Sequence, residues 1–373
     1  MRTLLSRPTL GLLRRRLCPS AGRVAAASAP PRRWFSCATA NCAIDDTAKP
    51  PSHATTEIID HDPMSPNFIW YPTIIPDSTH RDGAIYENMR LEYDWPDVDF
   101  ADRGETRLEP MMLTRATKWC LPDVEDCIHF PAPMLQFFSL TLAECLVAGD
   151  GSTTVQLYGY IAARDRRDRM LNYVFHRSRD DPIVVNQGSL IEMTGPKRGI
   201  ELVAPVLIEY DVRIKNNNGD REEDDLELID GAIEFNDRRP WRPTKHRVDG
   251  AHGAVDMALS CIDQDAVEAT IEVVVSEVRR GFSFSLSSFV RIRDIIDDYH
   301  EIKLFDGTID RSRGLRRYVV AVTWDTVMLL RFRIGDAVER QHFFKAKLHG
   351  CARRQIRLKK FANVSVKVTW STV

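Results

Sequence analysis

The sequence predicts an all-β protein, an antiparallel β-sandwich or barrel-like domain behind a largely irregular N-terminal arm. Three observations predict it. From Gln136 onward, apolar and polar residues alternate in short runs, the spacing that puts successive side chains on opposite faces of a strand. Turn signals separate the runs: Asp150-Gly151, Asp230-Gly231, Asp306-Gly307 and the Asn-Asn-Asn-Gly stretch at 216–219. No segment of this region carries a long amphipathic helix, so a βαβ arrangement lacks its crossover helices.

The strands follow in order. Phe138, Leu140 and Leu142 alternate with Ser139 and Thr141. Val155, Leu157, Gly159 and Ile161 alternate with Gln156, Tyr158 and Tyr160, and Ile208, Tyr210, Val212 and Ile214 with Glu209, Asp211, Arg213 and Lys215. Further on, Val267, Ala269, Ile271, Val273 and Val275 face away from Glu268, Thr270 and Glu272. Single serines separate Phe282, Phe284 and Leu286, and Arg331 and Arg333 separate Leu330, Phe332 and Ile334. Val364, Val366, Val368 and Trp370 close the series. Alternation of this kind sets one face on a core and the other in water.

Ahead of the strands the composition changes twice. Residues 1–44 hold eight arginines and no acid, with many Ala, Ser and Leu. This is the composition of an organelle transit peptide, and it lacks the uninterrupted apolar stretch of a secretory signal. Arg33-Trp34-Phe35-Ser36 has the form of a mitochondrial processing site. The expected organisation is a transit peptide over 1–35, an acidic, Pro-rich arm over 36–135 and a sandwich domain over 136–373. The expected address is mitochondrial, with a plastid or dual address as the rival. In the arm, DHDPMSPNF at 60–68 and EYDWPDVDF at 92–100 read as extended chain with turns. Docking of Trp70, Trp95 and Trp119 is expected to order it in part, with a short helix near Ala84–Leu91.

Hydrophobic residues make up 43% and charged residues 28% of the 373, ordinary for a globular chain. No run approaches the roughly 18 apolar residues of a membrane span. Charge is segregated: Asp45 to Glu105 carry 14 acids and 4 bases, Arg311 to Lys360 carry 14 bases and 3 acids. Such asymmetry points to self-association or to two different partners.

Four blocks taken together carry a resemblance: YGYIAARD at 158–165, LNYVFHRSRDDPIVV at 171–185, LIEMTGPKRGI at 190–200 and DLELIDG at 225–231. With the strands from Ala266 to Val373 they resemble a plant family, expanded in grasses and described as domain of unknown function 6598. The resemblance covers about residues 135–373 and leaves the arm outside. It implies an all-β domain with no established activity. Some related grass proteins carry the domain beside a ribosome-inactivating N-glycosidase domain, which implies a link to defence or translation and assigns no residue a role.

The chemistry-bearing patterns are sparse. The eight cysteines are scattered, with no CxxC pair, so neither a zinc site nor a disulfide framework is expected; Cys145 and Cys261 read as strand or core residues. N-glycosidases of the ribosome-inactivating type use an EAxR helix; the nearest string, Glu268-Ala269-Thr270-Ile271, lies in a strand and lacks the Arg. GPKRG at 195–199 lacks the GxxxxGK[ST] spacing of a phosphate loop and reads as a turn with two exposed bases. There is no GxSxG elbow and no HExxH pair, and His176, His300 and His349 read as exposed loop or strand-end residues. The acids Asp220, Glu222, Glu223, Asp224 and Asp225 read as a solvated turn, since calcium needs oxygens from several directions. No catalytic, cofactor or metal residue is assigned.

The positive signal is basic. Lys345, Lys347, Arg353, Arg354, Arg357, Lys359 and Lys360 are interleaved with Phe343, Phe344 and Phe361. Cations for phosphate and aromatics for stacking would suit single-stranded RNA; cations on strand edges also discourage aggregation. The reading drawn is a non-enzymatic interaction module whose arm and basic face meet a protein partner. Two others stay open: an RNA-binding protein using the basic face, and an unrecognised enzyme related to ribosome-inactivating proteins.

Overall fold

The computed structural model describes residue 65 and residues 68–87, 103–113, 129–147, 154–216, 221–236, 242–262, 265–292, 298–335, 338–358 and 360–373. The expected transit peptide, Trp95, Trp119 and Lys359 lie outside them. All these residues belong to one compact unit, Glu57–Val373. Its elements are almost entirely strands, and among the described residues the pairing is antiparallel apart from two short contacts of the arm, β1 with β10 and Glu105 with Leu171. Among the described residues no helix is long and apolar enough to cross a membrane.

The arm supplies β1 (Ile69–Trp70) and a one-turn helix α1 (Ala84–Glu87). The first group of strands is β2 (Met134–Cys145), β3 (Thr154–Arg164), β4 (Asn172–Arg177), β5 (Ile183–Asn186), β6 (Leu190–Ile191), β7 (Ile200–Glu201), β8 (Val206–Ile214), β9 (Leu226–Phe235), β10 (Thr244–Gly250) and β11 (Gly253–Ile262). These form two sheets, β1-β10-β11-β2-β6 with β7 beside β2, and β4-β3-β8-β9 with β5 beside β3. The second group is β12 (Ala266–Ser276), β13 (Phe282–Arg291), β14 (Tyr299–Ile309), β15 (Arg313–Gly314), β16 (Tyr318–Thr323), β17 (Val327–Ile334), β18 (Val338–Lys345), β19 (Gly350–Arg357) and β20 (Asn363–Ser371). These form β15-β12-β20-β19, with β16 beside β12, and β14-β13-β17-β18.

Each pair of sheets closes over its own apolar core. Leu157, Ile161, Ile208, Tyr210, Val212, Val255 and Met257 meet in the first. Val267, Ile271, Phe284, Phe332, Val366 and Trp370 meet in the second. The alternation read from the sequence sets these faces, because every second residue of a strand turns the same way.

Strand β2 serves both cores. Against β11, Leu259 pairs with Phe137 and Ala258 with Ser139, so Phe138 is an extra residue in β2. That bulge breaks the period of two. Leu135, Phe137, Leu140 and Leu142 enter the first core, while Met134 and Phe138 enter the second. The sequence places Phe138 on the face of Leu140 and Leu142; the bulge turns it to the other side. A hydrogen bond from Ala321 N to Gln136 Oε1, 2.8 Å, ties β16 to the same strand.

The arm docks by its own residues. Trp70 of β1 sits opposite His246 with Phe68 edge-on against it at 5.0 Å. Ile75 N donates to Ala232 O, and Ile85 is buried with Leu207 and Ala232. Of the helix expected near Ala84–Leu91, the turn at Ala84–Glu87 is present, and residues 88–91 lie outside the described residues.

Candidate functional site

The face of β8 expected in water is covered. Glu209 is buried and Asp211 half-buried, because the arm lays His80 across β8 and β9. His80 Nδ1 lies 2.5 Å from Asp230 Oδ1 and Nε2 lies 3.0 Å from Glu209 Oε1. With a carboxylate on each nitrogen, both must donate, so the ring is an imidazolium. Burial works against that charge, but the hydrogen bonds to Asp230 and Glu209 outweigh it and hold the ring at about 9, against an ordinary 6.5. Burial would raise the Glu209 carboxyl, yet His80 and Arg164 hold it at about 2, against 4.5. Arg164 Nε and the Tyr160 hydroxyl, each at 2.7 Å, complete its partners.

This latch gives a pH prediction. A raised histidine stabilises fully below its ordinary 6.5 and loses the contribution as pH rises through about 9. A lowered carboxylate stabilises above 4.5 and loses it as pH falls through about 2. The unfolding free energy lost in His80→Gln is therefore expected to be largest between about pH 4.5 and 6.5 and to shrink as pH rises through 9. A difference unchanged from pH 6 to 10.5 would contradict the latch.

The GPKRG turn also departs from expectation. Lys197 is half-buried, but Arg198 is fully buried, so it is not an exposed base. Its guanidinium grips Asp165 with two hydrogen bonds, 2.6 and 2.8 Å. Beside it, Glu268 of β12, expected on a solvent face, is buried. It accepts from Gly199 N at 2.5 Å and from the Ser371 hydroxyl at 2.6 Å. Burial pushes the Glu268 carboxyl up, against the pull of Ser371, the Gly199 N–H and Arg198. The motif joins the two groups of strands; it is not a phosphate loop. In the acidic turn, Asp225 is likewise buried and accepts from the Tyr158 hydroxyl, Arg179 Nε and Asn216 N. Among the described residues no group of three or more His, Cys, Asp or Glu is placed to hold a metal ion.

The basic residues lie on the open edges of the second pair of sheets. Among the described residues, β18 pairs only with β17, and β19 only with β20. Lys345 ends β18 and pairs with Asp325 at 2.6 Å. Lys347 is exposed in the turn before β19, and Lys360 is exposed beyond its end. Along β19, Ile356 faces the core, so period two puts Arg354 on that side and Arg353 and Arg357 on the outer face. Arg354 stands at the mouth of the sandwich, 6.0 Å from the Phe344 ring centroid. There burial, Arg354 and Arg340 together push the His342 imidazole down. Arg353 stands opposite Lys367, whose ammonium is bound to Glu272 at 2.5 Å. Of the interleaved aromatics, Phe344 is core, Phe361 is packed under Arg280 at 4.6 Å, and Phe343 is 59% exposed. The six of these residues that the structure describes therefore lie along an edge, not in one patch. Cys145 and Cys261 are buried in the first core as expected, and Cys351 is exposed at the edge.

A groove of about 680 Å³ lies between the outer face of the β14-β13-β17 strands and the β2–β6 strands of the first group. The single serines of β13 line its floor.

A family model described as domain of unknown function (DUF6598) matches residues 134–368. The chain belongs to that family. The DUF6598 match opens on the first residue of β2 and closes within β20, so the family unit contains both cores and the basic edge. No curated protein matches the chain. Solved structures similar to this DUF6598 chain include human GIVD cytosolic phospholipase A2 in complex with methyl gamma-linolenyl fluorophosphonate, at 6% identity and TM-score 0.22, covering 65% of this chain and 33% of that one. A further structure of human GIVD cytosolic phospholipase A2 gives 8% identity and TM-score 0.22, over 65% and 30%. The chain spans about a third of the length of those chains, and a likeness so slight carries no argument about fold or activity.

Proposed function

We propose that the protein is a non-enzymatic interaction module whose basic edge receives an extended acidic segment of a protein partner. One observation carries the reading: Arg340, Lys347, Arg353, Arg354, Arg357 and Lys360 pair with no carboxylate among the described residues, and all lie on β18, on β19 or at the ends of β19. Elsewhere most long cations are bound, as Arg198 is to Asp165, Arg164 to Glu209 and Arg247 to Asp256. β19 runs eight residues, about 27 Å at the rise of an extended strand. Its free side offers a row of N–H and C=O groups to an added strand. Like charge turns away another basic edge, while an acidic strand is attracted and steered in.

Exposed Phe343 favours RNA as the second reading, but Phe344 and Phe361 are taken up by packing, and one open ring makes a poor stacking platform. The arginine-rich, acid-free first 44 residues support a mitochondrial setting.

The test is titration of a fluorescent Asp/Glu-rich decapeptide and of a U-rich RNA decamer into wild type and the Arg353→Glu, Arg354→Glu, Arg357→Glu triple variant. Peptide binding is expected to weaken at least tenfold in the variant, about 1.4 kcal/mol, and to fall steeply with salt. Peptide affinity equal in both proteins would overturn the reading. RNA bound more tightly than peptide, and lost in Phe343→Ala, would replace it with the RNA reading.

A further inference from the structure

The groove between the two groups of strands has a chemistry of its own. On the outer face of β13, Ser283, Ser285 and Ser287 stand in a column, about 7 Å apart as every second residue of a strand must be. The strand register sets charged residues on either side of them. Ser285 is opposite Asp306 on β14 and Arg333 on β17, and Ser287 is opposite Lys303 and Arg331. The next row places Glu301 and Leu329 on either side of Phe289. Ser139 of β2 faces the column across the groove. None of these four serine hydroxyls has a protein hydrogen-bond partner among the described residues, although Ser287 is only 4% exposed.

The charges balance. Lys303 is bound to Asp306, and Glu192 on the far wall lies near Arg177 and Arg316, at 3.4 and 3.7 Å. Arg331 Nε is 3.2 Å from Glu339 Oε1 but makes no hydrogen bond. Among the described residues, the uncommitted groups are one guanidinium, Arg333, and one carboxylate, Glu301. An anion entering here would meet Glu301, Asp306 and Glu192 with most of the cations already engaged. A neutral ligand dense in both donors and acceptors meets matching partners: hydroxyls that can do either, a carboxylate that accepts and a guanidinium that donates. Leu190, half-exposed on the far wall, and Phe305 on the floor offer apolar surface to a C–H face. The volume lies in the range of small-molecule sites.

We propose that this groove binds a neutral oligosaccharide. The site is separate from the basic edge and stands or falls independently of it.

The test is calorimetric titration of the full chain with four neutral hexasaccharides (β-1,4-gluco, α-1,4-gluco, β-1,4-xylo and β-1,4-manno) and with inorganic tripolyphosphate. At least one hexasaccharide is expected to bind with millimolar affinity or better, unchanged between 50 and 300 mM salt. Ser285→Trp, which fills the middle of the groove from a solvent-facing position, is expected to abolish binding with the melting temperature retained. Arg333→Ala, at an exposed residue, is expected to weaken it at least fivefold and guards against a folding defect in the first variant. Failure of all four sugars to bind, binding unchanged in both variants, or salt-sensitive binding of tripolyphosphate alone would each overturn the proposal.

Discussion

Arg198→Ala is expected to destabilise the fold by about 3–5 kcal/mol, the usual consequence of removing one partner of a buried ion pair. The guanidinium donates to both oxygens of Asp165, to Gly199 O at 2.8 Å and to Asp168 O at 3.2 Å. Without it, Asp165 keeps the N–H groups of Arg167, Asp168 and Glu201 but loses its counter-charge at 1% exposure. Glu268 loses a cation as well, so its already raised carboxyl rises further. Arg198→Lys should recover little, since one ammonium cannot bind both carboxylate oxygens and two carbonyls in the planar fork. Urea unfolding of the three proteins checks this; an alanine variant within 1 kcal/mol of wild type would show that the pair is not integral to the junction.

Trp370→Ala should be comparably damaging, at about 3–5 kcal/mol. Trp370 is fully buried on β20, opposite Ala269 of β12 and Gly350 of β19. Its indole N–H has no hydrogen-bond partner among the described residues, and an unpaired buried donor is a standing penalty. Trp370→Phe is therefore expected to be much milder than the lost volume implies, because the orphan donor leaves with the extra ring. The two alanine variants also probe cooperativity. Arg198 sits at the junction and Trp370 in the second core, and β2 contributes to both cores. A single urea transition, shifted by both variants, is expected; two separable transitions would mean that the cores unfold independently.

The strands were legible because period two is a local property. Val267 through Val275 and Val364 through Trp370 line the second core as their alternation implies. What covers the opposite face is not local. Glu209 reads as solvent-facing until His80, 129 residues away in sequence, is laid over it. Glu268 reads the same way until Gly199 and Ser371 close on it. The bulge at Phe138 is hidden because Phe137 and Phe138 stand side by side, and either reads as a core residue of the strand. Arg198 was missed because nothing in GPKRG says that Asp165 lies across from its arginine. The basic edge was visible as composition. Its division was visible too, since Arg353 and Arg357 are four apart and Arg354 falls between them. The serine column of β13 was in view only as spacing between aromatics; its charged neighbours come from strand register, which the sequence does not state.

In the proposed function an acidic segment adds to β19 as a strand. Amide hydrogen exchange of residues 350–357, with and without a saturating Asp/Glu-rich decapeptide, tests it most directly. Alternate amides of β19, fast in the free protein because that side of the strand is open, are expected to slow on binding, while β20 is unchanged. Tight peptide binding that leaves every β19 amide at its free rate would contradict strand addition and move the contact to the side chains of the basic edge alone.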